Sequence, residues 1–450
     1  MISNSRIIFI IDQYNLSLIR KNRDFRILYS HDKYSLSLAY CYEKLGYEIF
    51  ISTIEDISDD SLNSIQVLDF EEKLMREKKI FTHPNDFIFI YDIPNVSYLE
   101  NIGSTKIALV AACHWFESPT LHPPIYNMNF INSFTRKVDL IVANNNRMRF
   151  ILDDLFRKLT NLKNFETEPL VKVLSSPTCA EKLFAQTPKD NKSNIFVEEV
   201  LNEWRSKKLI VCAGGIWNWT DYYNFLWEFI ELVNERTDTD YRLLITGFCP
   251  ESLGNKIEHS SQIDRVKSML LNNSAIVQGK YIRDLKFLNT TKSMDLKDKK
   301  ILCVEDWQMG GRVLNEILPF ASLGLSLNLD TLESWQAFRQ RSNNYISNNI
   351  PILSSGVGMD ASIENKKGII SINDYGASYK NTLKYIEDNP KFFEEKKQEC
   401  KLSSYVDYVT SEEKTSLLEI LKNSKYNKKI RYLRSRAATI IDYFASLKSY

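Results

Sequence analysis

The sequence predicts an α/β protein made of two Rossmann-like halves joined by a linker. Its 450 residues exceed the roughly 250–300 residues at which single cores stop growing. Short apolar runs alternate with helical patterns in both halves, which favours βαβ units and parallel sheets. Thr178–Asn194 is rich in Lys, Thr, Pro, Asp and Asn, as interdomain connections are. We therefore expect domains over residues 1–190 and 191–400, and a helical segment over 401–450 that packs back on the first domain.

The first half contains a series of apolar runs that predict strands. They lie at Arg6–Asp12, Tyr47–Thr53, Val67–Phe70, Asp86–Asp92, Ile107–Cys113, Val138–Ala143 and Val171–Ser175. Helical spacing predicts helices over Tyr34–Gly46 and from Asn144 onward. Gln13–Asp24 has no glycine, so this half lacks the glycine-rich turn of a dinucleotide site.

The second half repeats the alternation of strands and helices. Strands are expected at Leu209–Ala213, Tyr241–Gly247, Ala275–Gln278, Lys300–Glu305, Gly324–Leu329, Ile350–Ser354 and Gly368–Ile372. Helices are expected at Ile195–Lys207, from Asp221, at Val313–Ala321 and after Ser334. Two such units face each other across a cleft between the carboxyl ends of their sheets, where we expect the ligand.

Composition and charge exclude several classes of protein. The net charge of +1 gives no strong nucleic-acid signal. The seven cysteines include no CxxC pair, which is typical of reduced core cysteines in a cytosolic protein. The histidines show no metal-ligand spacing, so we expect neither a metal nor a cofactor. No apolar run reaches the ~18 residues of a membrane span, and we expect a cytoplasmic location.

The C-terminal segment adds one alternative to that location. Asn427–Ser446 has a helical pattern in which basic residues precede an apolar set. Such a helix either packs against the body with a solvated basic face or contacts an anionic membrane surface. The second alternative predicts a protein peripheral to the inner face of the membrane.

The stretch Leu209–Asp221, LIVCAGGIWNWTD, is the strongest candidate for a ligand-binding turn. Gly214 and Gly215 break an apolar strand, and a helical pattern begins at Asp221. Glycines let a phosphate approach the backbone, and the N–H groups of a helix N-terminus favour an anion. A tight turn that needs glycines only for chain geometry gives the same pattern.

A second group of polar side chains follows the strand IALVAAC in the first half. His114 and Glu117 lie three positions apart at the carboxyl end of this strand, where ligands of parallel sheets bind. The pair can orient a sugar hydroxyl or accept its proton. A structural histidine in a loop is the alternative. Asp12 and Asp92 end other strands and are expected near the same site.

Two motifs of the second half resemble the GT-B-fold nucleotide-sugar glycosyltransferases, within the large, mostly retaining group of that fold. GGIWNWTD at Gly214–Asp221 is similar to the turn that opens their donor-binding domain. A second stretch resembles their donor block, which contains an acidic residue, an Arg-rich helix and a turn into the next strand. This stretch consists of ASLGLSLNL (Ala321–Leu329), LE (Leu332–Glu333), AFRQR (Ala337–Arg341), NY (Asn344–Tyr345) and NIPILS (Asn349–Ser354). The resemblance covers Leu209–Ile372, and the first half matches only in its α/β layout.

The resemblance implies a donor site in the second domain, and its chemistry suggests roles for the side chains. In a helix over Ser334–Ser347, Arg339 and Arg341 point in different directions, so one can face the diphosphate while the other pairs within the protein. We favour Arg339 for the diphosphate. The expected catalytic residues are His114, Glu117 and Arg339, and the expected donor-binding residues are Gly214, Gly215, Trp217, Trp219, Asp306, Arg312, Glu333, Arg339, Arg341 and Asn344.

The chain departs from the family pattern in two places. Relatives often carry an Arg and a Lys after the glycine turn, whereas Trp219–Asn224 supplies neither. Relatives often have a second glutamate after the position of Glu333, where this chain offers Arg341 or Asn344. The charge that meets the diphosphate must then come from Arg312, Arg339 or Arg341.

These observations predict a glycosyltransferase of hexosyltransferase type. It moves a sugar from a UDP- or GDP-linked donor to a glycan or lipid-linked acceptor, in cell-surface polysaccharide synthesis. Positive side chains and helix dipoles stabilise the leaving diphosphate without a metal. The resemblance favours retention, whereas an inverting enzyme would use His114 or Glu117 as its base. The alternatives are a non-catalytic GT-B-like binding protein, transfer to protein or nucleic acid, and a sugar-nucleotide epimerase.

Overall fold

The chain divides into two units in a computed structural model. The first unit is Met1–Phe184 with Tyr408–Tyr450, and the second is Ala185–Asp407. The structure describes residues 6–23, 25, 32–58, 61–91, 106–110, 138–160, 170–173, 195–213, 220–246, 281–282, 299–304, 317–329, 334–335, 339–356, 367–406 and 418–419.

The first unit is built on one mixed sheet. Its strands are β1 Arg6–Ile10, β2 Glu48–Ser52, β3 Ile57–Ser58, β4 Ser61–Asp69, β5 Leu74–Phe81, β6 Phe87–Tyr91, β7 Lys106–Val110, β8 Leu140–Ala143 and β9 Leu170–Val173. The helices among its described residues are α1 Gln13–Asn22, α2 Asp32–Lys44 and α3 Asn146–Thr160. The strand order is β3-β4-β2-β1-β6-β7-β8-β9, with β5 paired to β4. The neighbours from β2 through β9 in this order are all parallel.

One edge of this sheet differs from the parallel pattern that the sequence predicts. β4 runs antiparallel to β2, and β5 returns antiparallel beside β4 as a hairpin. The predicted strand Val67–Phe70 is only the end of β4. β5, LMREKKIF, is mostly exposed and carries charges, so it has no apolar run by which a buried strand is recognised.

The core of the first unit lies where α1 and α2 cover the sheet. It includes Phe9, Leu16 and Tyr42, all fully buried. Leu418, which follows the second unit in the chain, packs in this same core. The chain therefore returns to the first unit after completing the second.

The second unit contains a doubly wound parallel sheet. Its strands are β10 Lys208–Cys212, β11 Tyr241–Thr246, β12 Tyr281–Ile282, β13 Ile301–Val304, β14 Leu323–Ser326, β15 Ile352–Ser354 and β16 Ile369–Ser371. Its helices in the described residues are α4 Ile195–Trp204, α5 Tyr222–Glu235, α6 Gln340–Ser347, α7 Tyr379–Asp388 and α8 Pro390–Val406. The order β13-β11-β10-β14-β15-β16, with β12 outside β13, is the 3-2-1-4-5-6 order of Rossmann sheets.

Both faces of this sheet are covered by helices. Phe225 and Phe229 of α5 and Leu383 of α7 fill the core on one face. Trp204 of α4 and Tyr345 of α6 fill the core on the other. The strands are buried on both faces, which explains why they read as continuous apolar runs in the sequence.

One predicted helix of the second unit is wrong in extent, and another is described only at its end. Of the predicted helix Val313–Ala321 the structure describes residues 317–321, where Ile317 is helical and a 3₁₀ turn follows at Leu318–Phe320. The helix expected over Ser334–Ser347 is interrupted, because Arg339 is extended (φ −94°, ψ 108°) and α6 begins at Gln340. No side chain caps this start, so no capping residue marks it in the sequence.

Further expectations from the sequence concern membrane spans, metal sites and a membrane contact. In the part of the chain that the structure describes, no helix is long and apolar enough to cross a membrane. Nor do those residues contain a group of three His, Cys, Asp or Glu side chains that could hold a metal ion. The basic segment Asn427–Ser446 lies outside the described residues, so its contact with a membrane stays a prediction.

Candidate functional site

The strand order of the second unit identifies a candidate ligand site. β10 and β14 are neighbours in the sheet, but the chain leads from β10 to β11 on one side and from β14 to β15 on the other. In open parallel sheets, ligands bind beyond the carboxyl ends of the strands at such a switch point. The candidate site therefore lies beyond Cys212 of β10 and Ser326 of β14.

Tyr345 of α6 fixes the end of β10. Its hydroxyl donates to the Val211 carbonyl at 3.0 Å and accepts from the Ala213 backbone N–H at 2.8 Å. Its ring lies against Gly324 of β14 so closely that a Cβ there would be 2.4 Å from it. One buried side chain thus joins the two strands of the switch point, and it holds the backbone immediately before Gly214.

Arg341 brings positive charge to this point. Its Nη1 donates to the hydroxyl of Tyr222, the first residue of α5, at 3.1 Å. The Cys212 thiol donates to the same hydroxyl, with Sγ and Oη 2.5 Å apart. Burial raises the pKa of Cys212 to about 12, and the Arg341 charge opposes that rise. The guanidinium therefore lies close enough to the end of β10 to act on its buried groups.

Polar groups also follow β14 and β15. The Asn328 side-chain amide donates to Ser326 Oγ at 3.1 Å, and its backbone N–H donates to Ser355 Oγ at 3.1 Å. All three side chains are buried. Buried hydroxyls and amides at a strand end are the groups by which a site orients a polar ligand.

Asp221 stands at the start of α5 without capping it. One carboxylate oxygen accepts from the Tyr379 hydroxyl at 2.8 Å, and the other accepts from Asn224 Nδ2 at 2.6 Å. Burial raises the pKa of this carboxyl. Because Asp221 makes no side-chain capping bond, it leaves the first-turn N–H groups of α5 to other acceptors, and these groups favour an anion.

Of the predicted site residues, three lie within the described part of the chain. Arg341 is at the switch point, bonded to Tyr222. Arg339 is the half-buried residue before α6. Asn344 is half-buried on α6, and its carbonyl accepts from Asn348 Nδ2 at 2.8 Å. His114, Glu117, Gly214, Gly215, Trp217, Trp219, Asp306, Arg312 and Glu333 lie outside the described residues, and their roles stay predictions.

Sequence patterns alone do not identify the residues that organise the site. By helical spacing, Tyr222 and Tyr345 are core positions of amphipathic helices, and both are indeed fully buried. Their hydroxyl partners are up to 134 positions away in the chain, so no local pattern reveals them. In the first unit, Asp12 is the N-cap of α1, where its side chain accepts from the Tyr14 backbone N–H at 2.8 Å.

Solved structures with a similar fold carry the names of glycosyltransferases and trehalose enzymes. A glycosyltransferase from Rickettsia africae ESF-5 matches with 10% identity over 93% of this chain and 98% of that chain, at a TM-score of 0.53. The trehalose-6-phosphate phosphatase N-terminal domain from Candida albicans matches with 14% identity, 76% and 71% coverage and a TM-score of 0.50. A UDP-forming trehalose-phosphate synthase from Burkholderia xenovorans, in complex with glucose-6-phosphate, matches with 12% identity, 76% and 75% coverage and a TM-score of 0.51.

At 10–14% identity, these similarities concern the fold alone. No protein-family model and no curated protein sequence matches the chain. The chain nevertheless has the α/β architecture of the GT-B glycosyltransferases, with two Rossmann-like domains, and that prediction is confirmed.

Proposed function

We propose that the chain is a glycosyltransferase whose nucleotide-sugar donor binds at the carboxyl ends of β10 and β14. The GT-B fold supports the class of reaction. The observation that carries the proposal is the hydrogen bond between Arg341 and Tyr222, because it places a guanidinium at the switch point of the sheet. A donor diphosphate is the anion that such a charge suits.

The chemistry follows from the charge that develops on the leaving group. When the bond between the sugar and the diphosphate breaks, negative charge grows on the departing oxygens, and fixed positive groups stabilise it. Arg341 supplies such a charge, and Arg339 is assigned a second. The N-terminus of α5 adds its N–H groups, and Gly214 and Gly215 give the phosphates access to the backbone. The proposal requires no metal and no further cofactor.

The remaining roles are carried over from the sequence. Glu333 holds hydroxyls of the sugar or ribose, and Trp217 and Trp219 cover a sugar face. Asp306 and Arg312 contact the base or ribose. His114 or Glu117 orients the acceptor hydroxyl on the first domain.

The neighbours suggest where a search for substrates should begin. The Burkholderia xenovorans enzyme is UDP-forming and was solved with glucose-6-phosphate. We therefore place UDP-sugars before GDP-sugars as donors, and include sugar phosphates among the acceptors beside glycans and lipid-linked sugars. Retention of configuration, a role in cell-surface polysaccharide synthesis and a cytoplasmic location are parts of the same proposal.

Donor binding and hydrolysis test the proposal without knowledge of the acceptor. The purified protein is incubated with UDP-glucose or GDP-mannose, and release of nucleoside diphosphate is measured beside thermal shifts. We expect Arg341→Ala and Arg339→Ala each to reduce turnover about 10- to 100-fold, since each removes a charged donor from the diphosphate. Glu333→Ala should also reduce turnover strongly.

A matched control separates the site from general effects of charge removal. Arg76 is exposed on β5 of the first unit, and Arg76→Ala should leave turnover unchanged. Full activity of Arg341→Ala would remove Arg341 from the site. A thermal shift with a nucleotide sugar but no release of nucleoside diphosphate would favour a GT-B-like binding protein. The absence of both the thermal shift and the release would overturn the proposed function.

A further inference from the structure

Tyr222 joins Arg341 to the end of β10. Its side chain is fully buried, and its hydroxyl oxygen accepts from both Arg341 Nη1 and Cys212 Sγ. We propose that Tyr222 is a positioning residue, whose hydroxyl holds the Arg341 guanidinium where the donor diphosphate departs. This inference rests on the proposed function, because that function gives Arg341 its ligand.

Tyr222 gives Arg341 a neutral hydrogen-bond acceptor, and this matters for its role. A carboxylate at the same place would hold the guanidinium but would also offset its charge. A tyrosine hydroxyl accepts the hydrogen bond without offsetting the positive charge. Burial raises the pKa of Tyr222 well above its usual value, so the hydroxyl stays neutral at physiological pH.

The hydroxyl is itself held in place from two sides. The backbone of Tyr222 is in the first turn of α5, whose Phe225 and Leu226 are in the core. Cys212 is the last residue of β10 and contacts the hydroxyl directly. Arginine has a long, flexible side chain, and preorganised charge is what stabilises a transition state. Fixing Nη1 to this rigid point preorganises the charge.

A purely structural role for the Tyr222 hydroxyl is the competing explanation, and the chain offers a control for it. Tyr241 is also buried in the second unit, and its hydroxyl donates to the Leu383 carbonyl at 3.0 Å. It begins β11, at the amino edge of the same sheet, away from the switch point. Tyr222→Phe and Tyr241→Phe therefore each remove one buried hydroxyl, but only the first touches Arg341.

Kinetics of nucleoside diphosphate release from UDP-glucose or GDP-mannose distinguish the two roles. We expect Tyr222→Phe to lower kcat roughly tenfold or more with a smaller change in KM, because the loss is in transition-state positioning. Tyr241→Phe should keep kcat within about twofold of wild type. In an Arg341→Ala background, Tyr222→Phe should cause no further loss, since the two residues act as a unit.

Side-chain NMR of arginine-labelled protein measures whether the Arg341 guanidinium is held in place, and it needs no turnover. The Arg341 Nε–H resonance, assigned with Arg341→Lys, should shift and sharpen toward that of a mobile side chain in Tyr222→Phe but not in Tyr241→Phe. An unchanged resonance overturns the positioning role, as does equal kcat of the two variants when the wild type is active. A wild type that neither binds nor hydrolyses these donors overturns the proposed function first, and the role of Tyr222 with it.

Discussion

Gly324→Ala is expected to disrupt the junction between β10 and β14. A Cβ at this position would be 2.4 Å from the Tyr345 ring, closer than any stable contact, so the ring must move. Overpacking of this kind costs roughly 1–3 kcal/mol. If the ring moves, its hydroxyl also loses Val211 and Ala213, at about 0.5–1.5 kcal/mol for each hydrogen bond. We expect a total of roughly 2–6 kcal/mol less stability in the second unit.

Urea unfolding of the full chain, with a second probe to detect separate unfolding of the two units, measures this loss. Gly376→Ala is the control: Gly376 has φ 75° and open space around it, so only backbone strain of about 1–2 kcal/mol applies. Tyr345→Phe tests the mechanism. It should add less than about 0.5 kcal/mol to Gly324→Ala, because the displaced ring has already lost its bonds. Wild-type stability of Gly324→Ala, or full additivity, would refute the reasoning.

Three further predictions concern other contacts. Asp86→Ala should lower the free energy of unfolding by about 3 kcal/mol, since the buried carboxylate accepts from Arg6 Nε and Nη2; urea unfolding measures it, and a loss under 1 kcal/mol would contradict it. With its pKa near 12, Cys212 should resist iodoacetamide at pH 8 until the chain unfolds, as peptide mass spectrometry would show. Lys384 and Lys380 lower the pKa of Glu235 to about 2. The ion pairs that Glu235 makes with them therefore stabilise the fold fully above the usual pKa of 4.5, and this stabilisation is lost as the pH falls through 2. Glu235→Gln should therefore melt below wild type at pH 7, by a difference that shrinks as the pH falls from 4.5 toward 2, and a difference that does not shrink over this range would refute this assignment.

The sequence predicts those parts of the fold that depend on local burial. The buried parallel strands, such as β6 and β10, are continuous apolar runs and were located to within about two residues. α5 was recognised because its buried residues recur at helical spacing. The sequence does not predict α1, although Asp12 caps it, because the mostly polar segment Gln13–Asn22 has few apolar positions.

The candidate site depends on contacts that no local pattern contains. The resemblance to a donor motif points to both Arg339 and Arg341 and favours Arg339, whereas the contact between Arg341 and Tyr222 joins residues 119 positions apart in the chain. The break at Arg339 lacks a capping side chain. In both cases the packing of distant elements decides the geometry, so only the folded structure identifies Tyr222 and Tyr345 as part of the site.

Hydrogen exchange in the presence of uridine diphosphate tests the central claim most directly, because it locates a ligand on the chain without an acceptor. We predict slower exchange in residues 211–213 and 326–329, at the carboxyl ends of β10 and β14, and in residues 340–347 of α6. Exchange at the amino edge, in residues 238–242, should not change. Protection confined to the amino edge or to the first unit, or none at saturating uridine or guanosine diphosphate, would contradict a donor site at the ends of β10 and β14.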